Sequence, residues 1–234
     1  MKIAIMQPYV FPYIGYFQLI YATDVFVFYD DVNFINRGWI NRNRILLNGK
    51  DQLFTISCKD ASQNRLIKDI EVLADKKALQ KVLVTIQTAY KKAPCFTAIY
   101  PVIEDIFKIE DGALISEMAI NSVVSICNYL GIKRTFKISS KEYNNRELKK
   151  ADRLIDICHV ERVENYINPS GGREIYSKEY YKAKGINLDF LISDRVDYTQ
   201  YNNAFVPWLS MIDVLMFNSK DEINNKLLTA FHLE

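Results

Sequence analysis

A strand–turn–helix–strand pattern in the first 29 residues limits the folds open to this chain of 234 residues. The apolar run Ile3–Met6 is typical of a buried parallel strand. Pro8 and Pro12 prevent a helix from starting before about Tyr13, and helically spaced apolar residues follow. A second apolar run, Val25–Tyr29, completes a compact β-α-β unit. Because such units build parallel sheets, this stretch predicts an α/β fold.

The same alternation returns in the second half of the chain. Strands are predicted at 135–138, 163–167 and 186–192, and helices at 145–158, 173–184, 203–217 and from about 219. Before them, a hairpin is predicted at 45–57 around Asn48-Gly49, and helices at 76–92, 97–108 and 113–130. We therefore expect a single domain, 1–234, with a Rossmann-like parallel sheet of about five strands and helices on both faces. A hairpin and helical segment at about 33–131 is inserted into it.

Charge and composition narrow the classes of partner. The net charge of +2 gives no general attraction to nucleic acid, so no nucleic-acid partner is expected. No apolar run approaches the roughly 20 residues of a membrane span, and no signal peptide is expected after Lys2. The four cysteines are widely spaced and there are two histidines, so no metal site is expected. These features predict a cytoplasmic protein with reduced thiols, and they are compatible with an oligomer.

The loop after the first predicted strand is the first candidate site. It contains Gln7, Pro8, Tyr13, Gly15 and Tyr16. If Gly15 lies at the start of the following helix, the helix N-terminus faces the ligand crevice and favours an anion such as a phosphate. The alternative is that both tyrosines simply pack into the core.

Two carboxylates, Asp30 and Asp31, follow the second predicted strand. At this edge of a sheet they are candidates for catalysis, since they can hold a sugar hydroxyl, an amine or a metal. The alternative is an ordinary cap at the end of a strand, because Asp is common in turns.

A basic stretch follows these carboxylates. It contains the candidate binding residues Arg37, Trp39, Asn41, Arg42 and Arg44. Arginine forks match phosphate oxygens, and a tryptophan ring stacks on a base or sugar. The stretch is too compact to track a nucleic acid, so a nucleoside diphosphate is a better match. A solvated basic loop is the alternative.

A third candidate loop follows the predicted strand at 163–167 and holds Ser170, Gly171, Gly172 and Arg173. Paired glycines let the backbone approach a ligand closely, although the loop lacks the spacing of a P-loop. Ordinary loop punctuation is the alternative. Lys59 belongs to a further polar loop, and Trp208 is a weaker candidate because its helical spacing is more typical of a core residue.

Five segments, taken in order, resemble the WbqC-like protein family: MQPYVFPYIGYFQLI, FVFYDDVNFINRGWINRNRI, KDASQNRLI, INPSGGREIYSKEYY and FVPWLSMIDVLMFNS. The resemblance covers nearly the full chain. It implies a cytoplasmic enzyme of bacterial O-antigen, lipopolysaccharide or other surface-polysaccharide biosynthesis. The implied substrate is a nucleotide-activated sugar, often an amino sugar.

The first loop also resembles the nucleotidylyltransferase and pantothenate-synthetase superfamily, in which a His-x-Gly-His helix start binds ATP phosphates. Here Tyr13-Ile14-Gly15-Tyr16 stands in that place, without either histidine. This resemblance leaves ATP open as a cofactor and implies a transferase or amide ligase. The expected reaction is N-acyl or N-aminoacyl transfer to the amino sugar, with Asp30 or Asp31 orienting or deprotonating the amine. The alternatives are a nucleotidylyltransferase-like sugar-nucleotide enzyme and a non-catalytic partner of a glycosyltransferase complex.

Overall fold

A computed structural model describes all residues, Met1–Glu234, and confirms the α/β, Rossmann-like fold. The strands are β1 (Lys2–Met6), β2 (Val25–Phe28), β3 (Arg42–Leu47), β4 (Lys50–Thr55), β5 (Thr135–Ile138), β6 (Asn165–Pro169), β7 (Asn187–Ser193) and β8 (Phe231–Leu233). The longer helices are α1 (Ile14–Tyr21), α2 (Lys76–Tyr90), α3 (Phe96–Ile106), α4 (Ile115–Leu130) and α6 (Lys150–Val160). The shorter ones are α5 (Ser139–Glu142), α7 (Lys178–Ala183), α8 (Met211–Phe217) and α9 (Lys220–Glu222). No helix is both long and apolar enough to cross a lipid bilayer.

The central sheet has six strands in the order β5-β2-β1-β6-β7-β8, and β3 and β4 form the separate hairpin. The five predicted strands are all present and pair in parallel. The sixth strand, β8, was not predicted, and it pairs antiparallel with β7 through Leu191 and Leu233. Three residues are too short to show a two-residue periodicity. They form a strand because the open edge of β7 offers unpaired backbone groups.

Three predicted helices begin later than their apolar spacing indicated: α6 at Lys150, α7 at Lys178 and α8 at Met211. Serine caps fix two of these starts, because the Ser177 and Ser210 hydroxyls each accept a hydrogen bond from the first turn of the helix that follows. Trp208 therefore lies in the loop before α8, and the prediction of a helix at 203–217 that includes it was wrong at its start.

Helices cover both faces of the sheet, as predicted. The larger core contains Ala4, Phe26 and Phe28 and includes buried residues of α1, the hairpin, α2, α3, α4 and α8. The smaller core contains Ile3 and Val25 and packs against α6 and α7. Successive strand residues point to opposite faces, so each buried strand contributes to both cores. The carboxyl edge of the sheet stays open between them.

Candidate functional site

A cleft of about 430 Å³, here called the main cleft, opens at the carboxyl ends of β1, β6 and β7. Its lining consists of Tyr9, Pro12, Tyr13, Gly15, Leu19, Trp39, Asn43, Arg44, Pro169, Ser170, Leu191, Ile192, Ser193 and Trp208. The chain adds β2 and β5 on one side of β1 and adds β6 and β7 on the other. Parallel sheets bind ligands where the strand order reverses in this way.

The loop that carries Tyr9 and Tyr13 into the cleft is held by buried polar contacts around Phe11. The Asn43 amide and the Ser210 hydroxyl donate to the Phe11 carbonyl at 2.8 and 2.7 Å. The Phe11 amide donates to the Ser122 hydroxyl at 3.0 Å. Phe11 has a φ of 43°, which is unfavourable for a bulky side chain and persists only where surrounding contacts fix it. The loop is therefore held in one conformation.

Helix α1 begins at the floor of the cleft. Its N-cap residue, Tyr13, makes no side-chain cap, so the helix start is not closed by its own side chains. Gly15 lies in the first turn, where a Cβ atom would clash with the Tyr13 ring and lie 2.6 Å from the Ser193 hydroxyl oxygen. Glycine is needed here because helix, tyrosine ring and β7 approach each other closely.

Both tryptophans of the chain line the main cleft. Trp39 is 40% exposed and Trp208 is 45% exposed, although large aromatic side chains are usually buried. The Trp208 ring packs edge-on against Tyr13, with 6.3 Å between ring centroids. Trp208 also has a φ of 59°, in the left-handed region that bulky residues avoid. Two exposed indole faces in one cleft are suited to stacking on a flat or apolar ligand surface.

Arg44 is the one charged residue in the lining. Its guanidinium lies 5.2 Å from the centroid of the Trp39 ring. It also pairs with Asp51 at 3.2 Å, but both side chains are well exposed, so this ion pair is weak. Arg44 can therefore exchange Asp51 for an anionic ligand group, and the adjacent indole keeps the guanidinium in place.

The remaining polar groups in the cleft are uncharged. Burial, with a smaller contribution from Tyr13, raises the pKa of Tyr9 to about 12, and burial also raises the pKa of Tyr13. Both phenols stay protonated near neutral pH, where they donate and accept hydrogen bonds without a charge. Ser170 and Ser193 add hydroxyls. The lining has no Asp, Glu, His or Lys, so the main cleft offers recognition groups and no ordinary acid–base pair.

A second cleft of about 380 Å³ lies beside the first and shares Tyr9 and Pro169 with it. Its other lining residues are Ile5, Met6, Gln7, Tyr29, Val32, Leu154, Tyr166, Asn168, Gly171, Gly172, Ile175 and Tyr176. A Cβ atom at Gly172 would clash with the Asn168 side chain, which explains the glycine there. No group of three or more His, Cys, Asp and Glu side chains is arranged to hold a metal ion.

The structure brings several predicted binding residues together at this edge. Tyr13, Gly15, Trp39, Arg44 and Ser170 line the main cleft, and Gln7, Gly171 and Gly172 line the second. Two loops far apart in sequence thus meet at one edge, because β1 and β6 are neighbours in the sheet.

Asp30 and Asp31 line neither cleft. Both are 3% exposed. Asp31 accepts from the Arg153 guanidinium at 2.6 Å and from the Ser139 hydroxyl at 2.7 Å. Asp30 accepts from the backbone amide and hydroxyl of Ser140 at 2.9 and 2.6 Å. The catalytic role expected of the two carboxylates stays a prediction, and their contacts favour a structural role that ties β2 to α5 and α6.

The other predicted binding residues also lie outside both clefts: Pro8, Tyr16, Arg37, Asn41, Arg42, Lys59 and Arg173. Several of their side chains bind the protein itself. The Tyr16 hydroxyl donates to the Gln7 carbonyl, the Asn41 amide to the Ile56 carbonyl, and the Arg42 guanidinium to the Gly38 carbonyl. Lys59 pairs with Glu71, and Arg173 with Glu234. Arg37 is exposed, and Pro8 is buried.

Tyr9, Asn43 and Ser193 line the main cleft and were not among the predicted site residues. Ser193 ends β7, so the rule that ligands bind at carboxyl ends of strands identifies it once that strand is known. Tyr9 lies inside the first candidate loop. Asn43 lies within the basic stretch, but its amide holds the Phe11 loop, a role that depends on tertiary contact.

Fold and cleft together define a Rossmann-like α/β protein with an open cleft at the carboxyl edge of its sheet. The chain belongs to the WbqC-like protein family, whose model matches residues 7–225. It is also 30% identical to the uncharacterized protein Rv1507c of Mycobacterium tuberculosis over 223 residues, and this alignment covers 93% of each chain. No solved structure matches the chain.

Proposed function

We propose that the main cleft binds a nucleotide-linked amino sugar and that the protein acts as a cytoplasmic enzyme of bacterial surface-polysaccharide (O-antigen) biosynthesis. One observation carries the proposal: both tryptophans and an arginine, Arg44, converge on the main cleft. Its volume of about 430 Å³ is in the range of small-molecule sites, roughly 300–1,000 Å³. Membership of the WbqC-like family supports the biological setting, because the resemblance to that family implies surface-polysaccharide biosynthesis.

The proposed mode of recognition follows from the chemistry of the lining. The base stacks on Trp39 or Trp208, since every nucleobase has an apolar face. Arg44 binds the diphosphate with a guanidinium fork. The neutral hydroxyls of Tyr9, Ser170 and Ser193 are suited to ribose and sugar hydroxyls, which both donate and accept.

The proposed reaction is amide formation at the amino group of the sugar. The amine nitrogen bonds to the carbonyl carbon of an acyl or aminoacyl donor, and the bond from that carbon to its leaving group breaks. The amine proton departs with the leaving group. A donor that is already activated suits this protein, because the main cleft offers no carboxylate, His or Lys to take the proton. If the protein makes the activated donor itself, ATP is the co-substrate: the donor carboxylate bonds to its α-phosphorus, pyrophosphate leaves, and the acyl-adenylate then carries AMP as its leaving group.

Binding is tested by calorimetry with ATP, UDP, dTDP, GDP and their sugar conjugates. We expect one nucleotide class to bind, and Arg44→Ala to weaken binding by about 10- to 100-fold, as expected for the loss of a charge-assisted contact. Arg37→Ala is the matched control, since Arg37 is exposed and lines neither cleft, and the variant should bind within about twofold of the wild-type affinity. If none of these ligands binds, or if both variants bind as wild type does, the proposal fails.

The absence of acid–base residues from the cleft favours a second candidate, a non-catalytic nucleotide-sugar-binding partner of a glycosyltransferase complex. Incubation of the protein with the bound amino sugar and an activated acyl donor, followed by mass spectrometry, separates the two. An acylated sugar supports the enzyme. Tight binding with an unmodified sugar supports the partner. A parallel incubation with a nucleoside triphosphate and a sugar 1-phosphate tests the nucleotidylyltransferase alternative, which releases pyrophosphate without forming an amide.

A further inference from the structure

We infer that the second cleft binds the sugar ring of the nucleotide-linked sugar whose nucleotide occupies the main cleft. This inference rests on the proposed function and adds a second subsite to it. The two clefts share Tyr9 and Pro169, so one ligand can extend from one to the other without crossing the protein interior.

The turn after β6 connects the two subsites. Ser170 lines the main cleft, whereas Gly171 and Gly172, the next two residues, line the second. Gly171 has no atom within 4 Å of a built Cβ position, so its backbone is open to a ligand. Apart from Tyr9 and Pro169, which line both clefts, a ligand passing along this turn meets backbone and hydroxyl groups.

The lining of the second cleft has no charged residue. Four tyrosines, Tyr9, Tyr29, Tyr166 and Tyr176, contribute aromatic groups, and Ile175, 68% exposed, lies beside them. Aromatic and aliphatic side chains pack on the apolar C–H face of a sugar ring, and exposed apolar groups of this kind mark binding surfaces. This combination matches a neutral ring far better than a phosphate.

Polar groups for the ring hydroxyls are also present. The Gln7 side chain lines the cleft, and its one side-chain hydrogen bond is a long contact of 3.5 Å from the Tyr9 hydroxyl. It is thus able to turn towards a ligand. The Arg153 guanidinium lies 4.8 Å from the Tyr29 ring centroid, but it is buried and paired with Asp31 at 2.6 Å, so it is not available to a ligand. The second cleft therefore has hydrogen-bonding capacity without free charge.

Calorimetry on the full-length protein tests the assignment by measuring how much the sugar adds to affinity. Each nucleoside diphosphate is titrated beside its sugar conjugate: UDP with UDP-N-acetylglucosamine, and the equivalent dTDP and GDP pairs. We expect wild type to bind the best conjugate about tenfold or more tightly than the free nucleotide. Tyr176→Ala and Ile175→Ala should each reduce that gain to about threefold or less, with free-nucleotide affinity within about twofold of wild type.

Ile175→Ala and the control Tyr180→Ala distinguish the loss of a ligand contact from a general disturbance of the fold. Ile175 is largely exposed, so its loss removes a ligand contact without removing core packing. Tyr180→Ala is the matched control for Tyr176→Ala, because Tyr180 is an exposed tyrosine that lines neither cleft. This variant should keep the full increase in affinity that the sugar adds to the free nucleotide.

The sugar subsite is overturned, with the nucleotide proposal intact, if the sugar adds no affinity in wild type. The same holds if Tyr176→Ala and Ile175→Ala both keep the affinity that the sugar adds. It is also overturned if the variants weaken the free nucleotide as much as the conjugate, since the second cleft then belongs to the nucleotide. If no nucleotide binds wild type at all, the proposed function fails and the sugar subsite fails with it.

Discussion

Two polar regions lie at the same edge of the sheet and differ in whether their side chains are already paired. In the carboxylate cluster, Asp30 and Asp31 are bound by Ser139, Ser140 and Arg153 and are almost fully buried. In the main cleft, Trp39 and Trp208 stay exposed, and the charged residue Arg44 has only a weak surface partner. A polar strand end therefore marks the edge of the sheet, but its function depends on whether the protein itself supplies the partner.

The carboxylate cluster and the main cleft look alike in the sequence because the residue that pairs with Asp31 lies far away along the chain. The partner of Asp31 comes from α6, 122 residues later. That pairing neutralises a buried charge and removes it from ligand chemistry. The indoles of Trp39 and Trp208 contact Arg44 and Tyr13 but stay 40% and 45% exposed, so part of each ring remains available.

The largest effect is expected from Arg153→Ala, which leaves Asp31 buried without its cation. We expect the free energy of unfolding to fall by about 3–5 kcal/mol, because an unpaired buried charge is strongly unfavourable. Urea denaturation measures the loss. The double variant Asp31→Asn/Arg153→Met removes both charges and should recover much of it. A loss below about 1 kcal/mol for Arg153→Ala would show that the carboxylate cluster is not a structural ion pair.

Asp213 is another buried carboxylate, but unlike Asp31 it has no cationic partner. It therefore tests whether uncharged hydrogen-bond donors alone can hold a buried carboxylate. It accepts from the Tyr90 and Tyr198 hydroxyls at 2.8 and 2.6 Å and from the Gln200 amide at 2.7 Å. Asp213→Asn should cost about 1–3 kcal/mol, because an amide cannot accept all three hydrogen bonds.

Burial raises the pKa of Asp213 above its ordinary value of 3.8. An acid whose pKa is raised on folding stabilises the fold below 3.8, and that contribution is lost as the pH rises through the folded-state pKa. The advantage of wild type over Asp213→Asn should therefore shrink as the pH rises above 3.8. Denaturant titrations at several pH values check this, and a pH-independent difference would contradict it.

Gly15→Ala acts on the main cleft and should have a smaller effect on stability. The added methyl group pushes the Tyr13 ring away from its edge-on contact with Trp208. We expect about 1 kcal/mol lower stability, because a ring can swing aside, and about tenfold weaker nucleotide binding. Gly171→Ala, where the methyl group meets nothing within 4 Å, should leave stability unchanged. Equal effects of the two substitutions on both measurements would contradict the close approach at Gly15.

Trp208→Gly should have the smallest effect on stability while weakening ligand binding. Glycine adopts the left-handed φ of 59° without strain, so the lost packing is offset and the free energy of unfolding should change by less than about 1 kcal/mol. Trp208→Ala loses the same ring and keeps the strained backbone, so it should be the less stable of the two. Thermal and urea unfolding rank the variants, and the reverse order would show that the backbone at this residue stores no strain.

The sequence alone determined the five parallel strands, the turn at Asn48-Gly49 and the two loops that meet at the carboxyl edge of the sheet. These features depend on local patterns, such as continuous apolar runs, helical spacing and turn residues. Only the tertiary structure decided that Asp31 is paired and that Trp208 lines the main cleft. It also decided that residues Phe231–Leu233 add a sixth strand. Each of these depends on a partner distant in the chain, and local propensity carries no information about which partner the folded chain supplies.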